Sequence, residues 1–118
     1  MNIKKFSELT NISAHTIRYY EKVGLLKQIS RNASGHRCFT QDDIAWVEFI
    51  KRLKDTGMPL NIIRKYTELR NSGEQTAELR MQLLQEHTKI LEERIAIESS
   101  HLEKLKEKIA YYSEVIDN

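Results

Sequence analysis

Apolar positions in the last third of the chain follow one seam: Ala77, Met81, Leu84, Thr88, Leu91, Ile95, Glu98, Leu102, Leu105, Ile109, Tyr112 and Ile116, with steps alternating between four and three residues. An average step near 3.5 belongs to a coiled-coil seam, where slight under-winding keeps the stripe facing a partner helix, rather than to a helix lying on a broad core. Neither Pro nor Gly interrupts it. A helix of about 40 residues reaches roughly 60 Å, more than the rest of the chain can cover. The stripe therefore needs a partner, and the same helix of a second copy supplies one. Leu84, Leu91, Ile95, Leu102, Leu105 and Ile109 are the expected dimer contacts. Thr88 and Glu98 are polar members that can set register at a cost in stability, unless Ile90 and Ile97 beside them take over the burial.

Upstream the elements are shorter. Ile3, Phe6 and Leu9 fall on one helical face, and Thr10 to Ser13 reads as a polar turn. Ser13 suits an N-cap, and Ala14 to Val23 reads as a second helix stopping at Gly24. Two short helices joined by a tight turn form a helix-turn-helix pattern, whose second helix presents its N-terminal residues to base edges: here Ala14, His15 and Thr16, then Arg18, Tyr19 and Tyr20. Apolar residues flank a polar loop from Ser30 to Arg37, which predicts a hairpin of Ile29–Arg31 against Arg37–Phe39. A basic hairpin placed directly after a recognition helix is the layout of a wing, with Arg31 and Arg37 available to phosphates. Thr40-Gln41-Asp42-Asp43 resembles a capping box opening a third helix, with Ile44, Val47, Ile50 and Leu53 on its core face, Trp46 and Phe49 beside them, and Gly57 closing it. Pro59 fits the first turn of a fourth helix that turns Ile62, Ile63, Tyr66 and Leu69 inward, and the long helix begins near Thr76. The expected division is a head over residues 1–73 and a helix over 74–118.

Charge sharpens this division. Residues 1–70 hold 13 Lys or Arg against 7 Asp or Glu, whereas residues 71–118 hold 6 against 10, so a net charge of +2 hides a basic head of +6 on an acidic stalk of −4. A polyanion partner for the head alone follows. One cysteine, Cys38, excludes an intramolecular disulfide framework. The N-terminus lacks a signal-peptide core, and no run of about 18 apolar residues occurs; a cytoplasmic protein without membrane contact is expected. No nucleophile, base and anion-site constellation points to an enzyme.

The run Ser13-Ala14-His15-Thr16-Ile17-Arg18-Tyr19-Tyr20-Glu21-Lys22-Val23-Gly24-Leu25-Leu26, followed by Arg31 to Phe39 and Asp42-Asp43-Ile44, closely resembles the mercury-resistance regulator (MerR) family of bacterial transcription factors. The resemblance covers the whole chain and implies an all-α fold with a small β-hairpin wing: a winged helix-turn-helix followed by a long antiparallel coiled-coil dimerisation helix. It further implies a homodimer on a pseudo-palindromic promoter operator in double-stranded DNA, between two hexamers spaced too far apart for RNA polymerase to engage both until the DNA is bent and untwisted. Thr56-Gly57-Met58-Pro59-Leu60 and Leu83-Leu84-Gln85-Glu86-His87 look most like the small subgroup responding to aldehydes or nitrosative stress.

On this resemblance Ser13, His15, Thr16, Arg18, Tyr19, Arg31, His36 and Arg37 are the candidate DNA contacts. Arg18 can take a phosphate or a guanine edge bidentately, and Tyr19 offers its hydroxyl to a phosphate; an ordinary solvated face is the alternative for Arg18 and His15. His36 stands where the family usually has an aromatic residue, and Phe39 where it has a tyrosine. Cys38 is the sole candidate for a covalent sensor, beside Arg37 and His36, or else a small residue packed on the wing. The subgroup's sensor cysteine is replaced by Arg52. Metal-responsive relatives carry cysteines at the start of the dimer helix, where this chain has Asn71 to Glu78, and His87 and His101 lie too far apart to meet within one chain; neither a metal nor another cofactor is expected. Two other classes fit parts of the pattern: an architectural, excisionase-like DNA-bending protein or simple repressor without a small-molecule sensor, and a coiled-coil interaction module.

Overall fold

The computed structural model of the chain describes residues 1–27 and 29–118. Its order is α1 (Ile3–Thr10), α2 (Ala14–Lys22), α3 (Gln41–Asp55), α4 (Leu60–Asn71), a single 3-10 turn (Glu74–Thr76) and α5 (Ala77–Asp117). Local chemistry explains most of these boundaries. The Ser13 side chain accepts from the Thr16 N–H and caps α2, while Gly24, at φ 84°, takes the left-handed conformation that ends it. Thr40 and Asp43 form the reciprocal capping box of α3, each side chain accepting from the other's backbone N–H. Pro59 stands at the N-cap of α4, one residue ahead of the first turn where the sequence pattern puts it.

Residues Met1–Met81 make one compact unit and Gln82–Asn118 another. In the first, Phe6, Ile17, Leu25, Val47, Ile50 and Ile63 are essentially without solvent contact. Phe6 stacks on Phe39 at a centroid distance of 4.2 Å, tying α1 to the segment before α3. Trp46 Nε1 donates to the Leu25 carbonyl at 2.7 Å, and the Arg70 guanidinium lies 4.2 Å above the indole, so α4 closes over α3 with the cation on the aromatic face.

Two expectations are corrected. Leu9 does not share the buried face of Phe6: it is 47% exposed, and Thr10 is buried in its place. The i,i+4 pair wins because the Thr10 hydroxyl donates to the Phe6 carbonyl at 2.8 Å, which removes the cost of burying it. The β-hairpin wing is the second. Among the described residues there is no strand, only one antiparallel bridge between Arg31 and Arg37. The loop is instead wound around Asn32, whose Oδ1 accepts from the N–H groups of Ser34 and His36. Phe39 spends both its backbone groups on Met1, at 2.7 Å each way, so its N–H cannot extend the ladder.

Within the second unit, and along α5 as a whole, no residue is buried. No described helix is long and apolar enough to cross a membrane.

Ile50→Ala removes a fully buried side chain from the α3 core face and is expected to lower the unfolding free energy by about 2–5 kcal/mol. Urea denaturation followed by circular dichroism reads this, and an unchanged midpoint would take Ile50 out of the core.

Candidate nucleic-acid interface

Helix α2 is amphipathic across its short length. Ile17 and Tyr20 point into the core, the Tyr20 hydroxyl accepting from Lys54 Nζ at 3.2 Å. At a 3.6-residue period this turns His15, Arg18, Tyr19 and Lys22 outward on one face, and all four are exposed. Tyr19 shows 43% of its surface to solvent. Ser13 and Thr16 stand at the start of the helix, where their side chains are engaged with each other: Ser13 Oγ donates to Thr16 Oγ1 at 2.9 Å and accepts from the Thr16 N–H at 3.1 Å.

Beside this face lies an open cleft of about 610 Å³. The fold brings Arg18, Arg31, His36, Arg37 and Cys38 together in its lining, and adds Asn2, Lys4 and Asn32. Ser13, His15, Thr16 and Tyr19 do not line it. Arg31 Nη1 donates to the Gly35 carbonyl at 3.0 Å, which holds its guanidinium along the turn. Arg37 makes a two-point contact with Glu21, Nε to Oε2 at 3.3 Å and Nη2 to Oε1 at 3.4 Å. Cys38 is half-buried and free, and its N–H donates to the Ser30 carbonyl at 2.7 Å. With Arg37 engaged by Glu21, the guanidiniums of Arg18 and Arg31 and the Lys4 ammonium are the cations that suit phosphate oxygens, which accept from such groups at fixed geometry.

Sequence reading missed Glu21 and the organising role of Asn32. Asn32 is legible in hindsight as an Asx-turn residue preceding Ser34-Gly35. Glu21 is an acid in a basic segment, but its partners lie 10 and 16 residues away, and only folding brings them near.

The expected dimer contacts of α5 divide by exposure. Leu84 and Leu91 are half-buried, while Ile95, Leu102, Leu105 and Ile109 are exposed, Ile109 to 68%. Thr88 satisfies its own hydroxyl by donating to the Leu84 carbonyl at 2.8 Å, so it can sit on an apolar seam without an unpaired polar atom. Among the described residues no three of His, Cys, Asp and Glu converge on a metal-sized site.

Comparison with known proteins places this geometry. A family model described as MerR HTH family regulatory protein matches residues 1–69, and a second, MerR, DNA binding, matches residues 44–110. An uncharacterized HTH-type transcriptional regulator of Haemophilus influenzae is 38% identical over 108 residues, spanning 92% of this chain and 80% of that protein. The fold is similar to the crystal structure of a MerR family transcriptional regulator from Listeria monocytogenes, with a TM-score of 0.90 and 38% identity over 96% of this chain and 86% of that one. It is also similar to HiNmlR, a MerR family regulator lacking the sensor domain and solved bound to promoter DNA, with a TM-score of 0.82 and 36% identity over 96% of this chain and 90% of that one.

Proposed function

The chain belongs to the MerR family of helix-turn-helix regulatory proteins, and we propose that it is a sequence-specific transcriptional regulator that works on promoter DNA as a homodimer. The family is one of DNA-binding transcriptional regulators, not of enzymes. The observation that carries the proposal is the juxtaposition of an outward α2 face, His15, Arg18 and Tyr19, with a cleft in which Arg18 and Arg31 stand beside an Arg37 already tied to Glu21. On this reading α2 enters the major groove and reads bases, while the turn after it grips the backbone as a wing does, and Ser13, Thr16 and His36 add contacts at the helix start and the loop.

The unburied stripe of α5 supports the dimer. Ile95, Leu102, Leu105 and Ile109 are 51–68% exposed, and covering the remainder gains roughly 1–2 kcal/mol each. Pairing α5 antiparallel with its copy uses the seam along its length and carries two DNA-binding heads. Two heads on one duplex can bend and untwist the promoter between its hexamers, a deformation costing about 1–6 kcal/mol, so that RNA polymerase engages both. Cys38, the one thiol of the sequence, lines the same cleft as Arg18 and Arg31, so a stress signal that acts by thiol modification has no other point of entry.

Three outcomes test these assignments. Arg18→Ala is expected to weaken binding to a duplex selected from a random pool by the wild-type protein by about 5- to 150-fold, or ~1–3 kcal/mol, with the fold intact by circular dichroism; undiminished affinity removes Arg18 from the interface. Leu102→Glu places a charge in the seam and is expected to shift the protein to monomer in sedimentation experiments, whereas an unaffected dimer assigns pairing to another surface. Cys38→Ser is expected to keep DNA binding and to lose the response of that binding to an aldehyde or thiol-reactive probe; a response that survives places the sensor elsewhere.

A further inference from the structure

Glu21 is an acid set among the cations of the cleft. It stands in the last turn of α2 with a side chain only 19% exposed, facing Arg37 at 24% and Arg31 at 47%. Arg37 uses Nε and Nη2 on its two oxygens, at 3.3 and 3.4 Å, and Arg31 Nη2 comes to 3.9 Å from Oε1. The carboxylate thus joins the helix to both ends of the following turn, which are themselves linked by the Arg31–Arg37 bridge. Partial burial screens this pairing less than a surface ion pair.

We propose that Glu21 is a specificity-determining residue for DNA recognition, acting as a clamp that lets the turn bind phosphate only in register with α2. This rests on the DNA-binding reading above. Non-specific affinity for a duplex is set mainly by how many phosphates the protein's cations neutralise. Were Arg31 and Arg37 free, the turn would hold any backbone in many orientations, whether or not α2 were seated in a groove. With Arg37 tied to Glu21, the turn moves with the helix, and one of the cleft's positive charges is cancelled before DNA arrives. A seated helix brings phosphates to Arg31, which has the longer and more exposed contact with Glu21 and can exchange it. Arg37 is then a positioning residue that acts through Glu21, not a phosphate ligand.

The test compares two probes, a duplex enriched from a random pool by the wild-type protein and a scrambled duplex of equal length and composition, each titrated at several salt concentrations. Glu21→Gln is expected to tighten binding to the scrambled duplex and steepen its salt slope by about 0.9, while the ratio of enriched to scrambled affinity falls roughly tenfold, the scale of one charge-assisted contact. The double variant Glu21→Gln/Arg37→Gln keeps the net charge of the cleft and leaves two amides able to bond each other. Its expected ratio and slope are those of the wild type. An unchanged ratio and slope in Glu21→Gln overturns the inference, as does a double variant whose slope falls by about 0.9, which would make Arg37 a phosphate ligand. Should Glu21→Gln alone not fold, the double variant decides by the same criterion. A wild-type protein that enriches no sequence defeats the DNA-binding reading itself, a result distinct from either of these.

Discussion

Burial of Ile17 and Tyr20 is the constraint on which the candidate interface depends. Helix α2 has only nine residues, so two inward side chains suffice to set its rotation about its own axis. Tyr20 is held at three points: its ring is buried, its hydroxyl accepts from Lys54, and its carbonyl accepts from the N–H groups of Leu25 and Leu26. With that residue fixed, His15, Arg18 and Tyr19 have only the outward face left. The same carbonyl starts the chain on its path toward the turn, and Leu25 is in turn pinned by the Trp46 indole. The direction of the outward face of α2 and the placing of the arginines beyond it are therefore consequences of one packed tyrosine and its neighbours.

Helix α5 follows the opposite logic. It has a continuous apolar seam and no buried residue, so within its own unit it has amphipathy without a core. Helices of this length are not stabilised by propensity alone, since most helical stability in proteins comes from packing an apolar face. The acidic excess of the segment adds a second separation, because phosphates attracted to the basic first unit are not attracted to this one. Charge is thus divided along the chain much as packing is.

Elements whose signals lie within a few residues were legible beforehand. The capping box of Thr40 and Asp43, the stop at Gly24, a core face on which Val47, Ile50 and Leu53 are buried and Ile44 half-buried, and the unbroken helix α5 all appear in the fold. Failures occurred where a polar group found a partner that spacing does not reveal. Thr10 displaced Leu9 from the buried face because its hydroxyl closes on the Phe6 carbonyl. The expected hairpin contracted to one bridge because Phe39 pairs with Met1, 38 residues away. Glu21 was read as one letter of a motif, and its pairing with Arg37 was invisible until the turn folded back on the helix.

By itself the sequence determined the helical segments and the basic head and acidic tail, since periodicity, caps and charge are local properties that survive without a third dimension, and the run from Ser13 to Leu26 carried the resemblance to a family. Tertiary structure alone decided which arginines share a cleft, which of them is already held by a carboxylate, and which side chains of a nine-residue helix face outward. The physical reason is that hydrogen bonds and ion pairs require approach to within about 3–4 Å, and distance in the chain says little about approach in space.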